Sequence, residues 1–196
     1  MAINLALLAI LLLIAAGTFR GGLWQGLILF LNVVVAATIA VAWYESLAGY
    51  LEKYLAAFTY FLDVVSLWLL FVLILVVLGT ATHQVAKASL KFAKPVELAG
   101  GILVALMTAW TVVELAAFTI HIAPLGTSAV PMPPEQSMLY GLQPDAWWLW
   151  WARGSTRNGP FAVPAHRFDA QDDFFPRHAK RREQLAAEPS LVLSVD

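Results

Sequence analysis

Four long apolar stretches alternate with short polar segments along the first part of the chain. A helix needs about 20 apolar residues to cross a bilayer core of ~30 Å, and each stretch approaches or exceeds that length. Because a spanning segment must satisfy its own backbone hydrogen bonds, each stretch predicts a transmembrane helix. The predicted spans are about 1–19, 22–44, 64–82 and 98–123. A signal peptide is the alternative for the first stretch, but no basic residue precedes Arg20, which favours a membrane helix.

The hydrophobic pattern changes at Pro124. Nine of the ten prolines lie at or beyond this position, and charged residues are denser after it. Residues 1–123 therefore predict a transmembrane domain, and residues 124–196 predict an extramembrane tail. Residues 47–62 carry apolar positions at helical spacing, and residues 83–94 carry basic positions at helical spacing. Each segment therefore predicts a helix that lies at the membrane interface, and for 47–62 a re-entrant helix is the alternative. The predicted fold is an all-α integral membrane protein with four transmembrane helices, amphipathic interfacial helices and a polar C-terminal tail.

The composition agrees with a membrane protein and excludes several other classes. Hydrophobic residues make up 60% of the chain and charged residues 13%, with a mean hydropathy of +0.73. Soluble domains have about 45–50% apolar and about 25% charged residues. The net charge of −1 argues against nucleic-acid binding, because the chain has no excess of basic residues to contact phosphates. The chain has no cysteine, which excludes disulfides and thiolate metal sites, and no cofactor is predicted.

The distribution of basic residues predicts the orientation of the spans. Arg20 lies in the first loop, and Lys87, Lys91 and Lys94 lie in the third, whereas the second loop contains only Lys53. Short loops that are rich in Lys and Arg stay on the cytoplasmic side. The N-terminus and the tail are therefore predicted to lie outside. The three lysines of the third loop either bind anionic lipid headgroups or form a solvated charged face.

Polar residues within the predicted spans are candidates for function. Glu114 lies near the midplane of the fourth span, where a charge costs roughly 2.5–3.5 kcal/mol to insert. His121 shares its helical face, and Asn32 lies near the midplane of the second span with Gln25 one heptad before it. We expect the Asn32 face to meet the Glu114 face through an interhelical hydrogen bond. The set is either structural, with Glu114 neutral, or a polar path for protons or a cation.

Small residues predict where helices approach each other closely. In lipid, tight backbone contact replaces the hydrophobic drive between helices, and small residues permit it. The spacing fits packing within one chain as well as association of copies. The predicted packing residues are Gly17, Gly21, Gly22, Gly26, Gly100 and Gly101.

Four tryptophans lie close together in the tail, directly after a helix-starting Pro-Asp pair. They are Trp147, Trp148, Trp150 and Trp151. Tryptophan favours the headgroup level of a membrane, so we expect a short helix that anchors the tail at the outer interface. The alternative is a docking site for a partner protein, because tryptophan dominates binding hot spots.

The rest of the tail carries charged residues without a recognisable site. The segment 180–183 is interpreted as an ordinary charged helix face. The spacing of the tail histidines and aspartates matches no tight ligand pattern, so no metal site is predicted. These residues are His166, Asp169, Asp172, Asp173 and His178.

Short motifs in the membrane region resemble those of a known family. The motif Gly-Thr-Phe-Arg-Gly at 17–21 joins two spans, a long span with Ala36, Ala40 and Ala42 follows, and Leu-Ala-Gly-Gly at 98–101 opens the fourth span. This order resembles the colicin V production protein (CvpA) family of bacterial inner-membrane proteins, over about residues 1–123. That family forms a bundle of four spans.

The resemblance implies a multi-pass protein of the bacterial inner membrane. In that membrane, the charge bias of the loops puts the N-terminus and the tail in the periplasm. It implies a role in colicin V toxin production or export and in envelope behaviour such as biofilm formation. The sequence has no motif of a hydrolase, a nucleotide-binding loop or a dinucleotide site, so no catalytic residue and no enzyme is predicted. The expected partners are the lipid bilayer and either other proteins or a second copy of the chain.

Two further hypotheses stay open at this point. One is a small channel or carrier subunit, with Glu114, His121, Asn32 and Gln25 along a polar path. The other is an assembly scaffold whose tail, residues 124–196, recruits a partner.

Overall fold

The described residues form six α-helices and one short 3-10 helix in a computed structural model. The structure describes residues 2–55, 58–86, 90, 92–126, 130, 138–157, 161 and 168–187. The helices are α1 (Ala2–Phe19), α2 (Gly22–Glu52), α3 (Thr59–Val85), α4 (Lys94–Ile122), α5 (Pro144–Arg157) and α6 (Phe174–Ala186), with the 3-10 turn at Leu139–Gly141. Helices α1 to α4 are long and apolar enough to cross a membrane. The chain is therefore an all-α membrane protein.

The four long helices form a bundle in which α2 and α4 run parallel to each other and contribute most of the buried residues. Helix α2 packs against both α3 and α4, and α1 packs against α4. Few residues of α1 and α3 are buried, and several of their large apolar residues are exposed, including Leu12, Leu13 and Leu73. Lipid tails are as apolar as these side chains, so exposed leucines on a membrane helix carry no hydrophobic penalty.

Small and aromatic residues of α2 form the centre of the core. Ala36, Ala37 and Ala40 are fully buried, which lets the neighbouring helices approach α2 closely. One turn later, Tyr44 packs edge-on against Phe118 of α4, with 6.3 Å between the ring centroids. The middle of α2 thus forms the core of the bundle.

The connection between α2 and α3 differs from the prediction. Residues 47–62 do not form a separate interfacial helix, because α2 continues to Glu52 and α3 already begins at Thr59. The apolar positions in this stretch keep the helical period of the adjoining spans, so the spans simply extend beyond the apolar windows. Within the segment 83–94, predicted as a second interfacial helix, residues 83–85 continue α3 and Lys94 begins α4. Lys87 and Lys91 lie outside the described residues.

The described part of the tail folds back onto one end of the bundle. Trp148 and Leu149 of α5 and Phe174 of α6 belong to the same buried cluster as Tyr44 and Phe118. The rings of Phe118 and Phe174 stack with their centroids 4.6 Å apart. The change in composition at Pro124 therefore marks a boundary in polarity, and the core continues across it.

Candidate functional site

A buried histidine–aspartate pair joins the tail to the membrane bundle. His121 lies in the last turn of α4 and Asp145 in the first turn of α5, where a carboxylate also favours the positive end of the helix dipole. His121 Nε2 and Asp145 Oδ2 are 2.8 Å apart, and each residue is only 1% exposed. The pair fixes the position at which α5 leaves the end of α4. His121 was predicted as an intramembrane polar residue, and its partner on α5 was not foreseen.

Helix α6 covers this pair from the side. The guanidinium of Arg182 donates to the backbone carbonyl of His121 at 2.8 Å. The ring of Phe175 packs edge-on against His121, with 4.7 Å between centroids. Arg182 is 4% exposed, so the predicted solvated face at 180–183 is wrong at this position. A guanidinium can be buried here because the carbonyl at the end of α4 accepts its hydrogen bond.

Two further arginines of α6 bind acidic residues of the bundle. Arg177 pairs with Glu45 of α2 at 3.0 Å, and Arg181 pairs with Asp63 of α3. At the start of α1, the side chain of Asn4 accepts a hydrogen bond from the backbone N–H of Leu139 at 3.0 Å. All four spans therefore contact the tail at the end where α2 and α4 finish. We call this the tail end of the bundle.

His178 is buried between these arginines. Its Nδ1–H donates to the carbonyl of Phe174 at 2.8 Å, and its ring lies 4.3 Å from the Phe174 ring. Burial and the nearby charges of Arg177, Arg181 and Arg182 lower the pKa of His178 to about 3, although the hydrogen bond to Phe174 opposes the shift. His178 is therefore neutral in the docked tail at physiological pH.

The aspartates of the tail bind arginines of α5. Asp169 is buried and accepts a hydrogen bond from Arg153 Nε at 2.6 Å. Asp172 pairs with Arg157, and this hydrogen bond lowers the pKa of Asp172. No group of three metal-ligating side chains converges among the residues that the structure describes. His166, weighed as a ligand from the sequence, lies outside those residues.

The four tryptophans of α5 do not share one environment. Trp148 is 1% exposed and faces the protein core, so its predicted role as an interface anchor is wrong. The helical period explains this, because successive residues point about 100° apart and α5 packs on the bundle with one face. Trp147, Trp150 and Trp151 are 59%, 69% and 41% exposed. Anchoring in the bilayer interface stays a prediction for these three.

Glu114 lies beside these tryptophans, in a cleft between α2, α4 and α5 that we call the tryptophan cleft. Its volume is about 190 Å³. The indole of Trp110, one turn earlier on α4, donates a hydrogen bond to the Glu114 carboxyl. The cleft is lined by Phe30, Val34, Thr111, Glu114 and the tryptophans at 147, 148, 150 and 151.

The predicted contact between Asn32 and Glu114 is absent. Asn32 instead donates from Nδ2 to the Thr82 hydroxyl of α3 at 2.9 Å. Asn32 and Gln25 line a different cleft, of about 320 Å³, between α2 and the end of α3. Phe30 faces the tryptophan cleft, and residues two positions apart on a helix point about 200° apart. Asn32 therefore points away from α4.

At the other end of the bundle, where α2 and α4 begin, glycines let these two helices approach each other closely. Gly22 has a φ of +76°, and the adjoining Leu23 N–H donates to Glu97 at 2.8 Å. A Cβ atom at Gly26 would lie 3.3 Å from Val104, and one at Gly100 would lie 2.8 Å from Leu23. We call this region, where α2 and α4 begin, the glycine end.

The other predicted packing glycines differ in how closely they are approached. A Cβ atom at Gly101 would lie 3.8 Å from the backbone of Leu23, and one at Gly21 would lie 3.3 Å from the side chain of Gln25. No described atom outside its own helix backbone lies within 4 Å of a Cβ placed at Gly17, so the predicted close approach is not found there. Lys94 is exposed at this end, and its contact with lipid headgroups stays a prediction.

Comparisons with known proteins place the membrane region in a family. A family model described as colicin V production protein matches residues 3–146. The match includes all four spans and the first residues of α5, and it ends just after Asp145. Searches of curated proteins and of solved structures find no match.

Proposed function

Because the chain belongs to the colicin V production protein family, we propose that it acts in toxin production or export and in envelope processes such as biofilm formation. It does so as a non-enzymatic, multi-pass protein of the bacterial inner membrane. The observation that carries the proposal is the family match over residues 3–146, which contains every candidate span. The absence of a recognisable catalytic motif in the sequence supports the non-enzymatic part.

The charge distribution supports a periplasmic tail. Arg20 and Lys94 lie at the glycine end, whereas Glu45 and Asp63 lie at the tail end and bind arginines of α6. The positive-inside rule then places the glycine end in the cytoplasm. Since the chain has no cysteine, Lys53→Cys and Lys94→Cys give single labelling sites. We expect an impermeant maleimide to label Lys53→Cys but not Lys94→Cys in intact cells. Labelling of Lys94→Cys alone would mean that the tail lies in the cytoplasm.

The docked tail supports a role through protein partners. Helices α5 and α6 are held to the bundle by buried polar contacts and so present one fixed surface on the side where an exported toxin would leave. A preordered surface binds with less loss of conformational entropy than a disordered tail. We therefore assign partner recruitment to the tail end.

The test is genetic and uses the bacterium that makes the chain. We expect deletion of the gene to reduce biofilm mass and, after introduction of a colicin V determinant, to reduce toxin release into the medium. The full chain should restore both. A His121→Leu variant, which undocks the tail, should insert in the membrane but restore neither. Unchanged toxin release and biofilm mass in the deletion strain would contradict the proposal.

The channel or carrier hypothesis has less geometric support. Glu114 lies in the tryptophan cleft, His121 is buried against Asp145, and Asn32 and Gln25 line the separate cleft beside α3. These residues do not line one path among the residues that the structure describes. We expect no proton flux through the chain in liposomes, and a flux that Glu114→Gln abolishes would reinstate this hypothesis.

A further inference from the structure

The tryptophan cleft combines an acidic group with aromatic walls at membrane depth. Glu114 lies eight residues before the end of α4, about 12 Å along the helix axis. The indole of Trp151 donates to the Thr38 hydroxyl at 3.0 Å, which holds α5 against the middle of α2. The cleft therefore lies beside the middle of α2, well short of the end of the bundle.

Glu114 is the one charged residue among those that line the cleft. A carboxylate at this depth is costly unless a partner compensates it. The Trp110 indole supplies one hydrogen bond from the same helix. The remaining lone pairs of the carboxylate face a cleft that no lysine or arginine lines. A cation that enters the cleft can pair with this carboxyl group.

The walls of the cleft suit an organic cation. Trp147 and Trp150 both line the cleft, and their rings meet edge to face at 81° with 6.5 Å between the centroids. Tryptophan faces attract cations, and quaternary ammonium groups are recognised by aromatic cages of this type. Ca²⁺ and Mg²⁺ instead take six or more oxygen ligands, of which proteins supply several. The lining offers only one carboxylate and the Thr111 hydroxyl.

We propose that the tryptophan cleft binds a small lipophilic organic monocation, with Glu114 as the counter-ion and the indoles of Trp147 and Trp150 as its walls. The cleft, of about 190 Å³, is smaller than most drug-sized pockets, so the ligand has about one ring or a few short alkyl groups beside its ammonium. A zwitterionic lipid headgroup does not fit, because no basic residue of the lining would bind its phosphate. The proposal rests on the cleft alone and is independent of the role in toxin production.

The experiment measures binding of benzyltrimethylammonium to the purified full chain in detergent by equilibrium dialysis. The uncharged probe neopentylbenzene has the same shape, with carbon in place of nitrogen, and reports apolar filling of the cleft. We expect the cation to bind saturably. After its partition into empty micelles is subtracted, the uncharged probe should bind about tenfold more weakly than the cation, or weaker still. Glu114→Gln should weaken cation binding by about tenfold. Trp150→Ala should weaken it about threefold, and Trp150→Phe should restore part of the loss.

Glu52→Gln is the matched control, since Glu52 is exposed at the end of α2 and distant from the cleft. Cation binding that is absent, is unaffected by Glu114→Gln, or is weakened equally by Glu52→Gln would overturn the proposal. Equal binding of the charged and uncharged probes would also overturn it and indicate a purely apolar cleft. This comparison uses the wild-type chain, so it decides the question even if Glu114→Gln fails to fold.

Discussion

The two ends of the helical bundle are held together by different chemistry. At the glycine end, the absence of side chains lets α2 and α4 approach, as at Gly26, where an added Cβ would lie 3.3 Å from Val104. At the tail end, charged and polar side chains join the spans to α5 and α6, as in the buried pair of His121 and Asp145. The glycine end depends mainly on close packing, with one hydrogen bond from Leu23 to Glu97, whereas the tail end adds ion pairs and buried hydrogen bonds to its aromatic packing.

This difference determines how each end responds to its surroundings. Backbone contacts between helices do not change with pH or salt. Ion pairs weaken with salt when they are exposed, and buried titratable groups respond to pH. The tail end can therefore be loosened by conditions that leave the glycine end intact, and the two ends can be separated by experiment.

The largest effect is expected from removing His121. His121→Leu leaves the carboxylate of Asp145 buried without its partner, and breaking a buried pair in this way costs about 3–5 kcal/mol. We expect α5 and α6 to exchange amide hydrogens much faster, while α2 and α4 near Gly26 stay protected. Hydrogen exchange read by mass spectrometry in detergent measures both regions at once.

The control replaces both members of the pair. In His121→Leu with Asp145→Leu no charge is left buried, and such apolar replacements are often close to neutral. The double variant should recover most of the protection in α5. Equal loss of protection in the single and double variants would show that packing around His121, rather than the pair, holds the tail.

The sequence predicted the glycine end far better than the tail end. Four spans follow from apolar length alone, and close approach at Gly22, Gly26 and Gly100 follows from residue type. Each requirement is local, because a glycine or an apolar run has the same consequence in any fold. The exception is Gly17, where the same residue type faces open space.

The tail end could not be predicted because its partners are far apart in the chain. Asp145 follows His121 by 24 positions, and Arg177 follows Glu45 by 132. Nothing in the periodicity of α6 says which of its arginines turns inward, and Arg182 was accordingly interpreted as solvated. Among these residues, only Asp145 had a position in the sequence that could have indicated a buried contact. It is an acidic residue in the first turn of a tryptophan-rich helix.

The second prediction tests the glycine end by itself. Gly22→Ala places a Cβ at a φ of +76° and 2.6 Å from Glu97 Oε1, which disturbs the hydrogen bond to Leu23. Strain and the weakened bond together cost roughly 2–3 kcal/mol. Unfolding by denaturant in micelles, followed by circular dichroism, measures the loss. Gly17→Ala is the control and should be neutral or slightly stabilising, since alanine favours a helix.

The third prediction concerns pH and applies to the tail end only. The pKa of His178 is about 3 when α6 is docked, against an ordinary value of 6.5. The undocked form binds more protons between these values, so docking weakens as the pH falls below about 6.5. From pH 7 to pH 5 the loss is about 2 kcal/mol. Hydrogen exchange in α6 at both pH values measures it. His178→Leu should remove most of this dependence, and an unchanged dependence in that variant would assign it to other groups.

The smallest effect is expected at the rim of the tail end. Arg177 and Glu45 are each more than two-fifths exposed, and exposed ion pairs contribute about 0.2–1 kcal/mol. Arg177→Gln should therefore speed exchange in α6 only slightly, and the difference from wild type should shrink at 1 M salt, where the Debye length is about 3 Å. Exchange rates at low and high salt measure this. A loss as large as that of His121→Leu would mean that charge at the surface, rather than the buried pair, holds the tail to the membrane bundle.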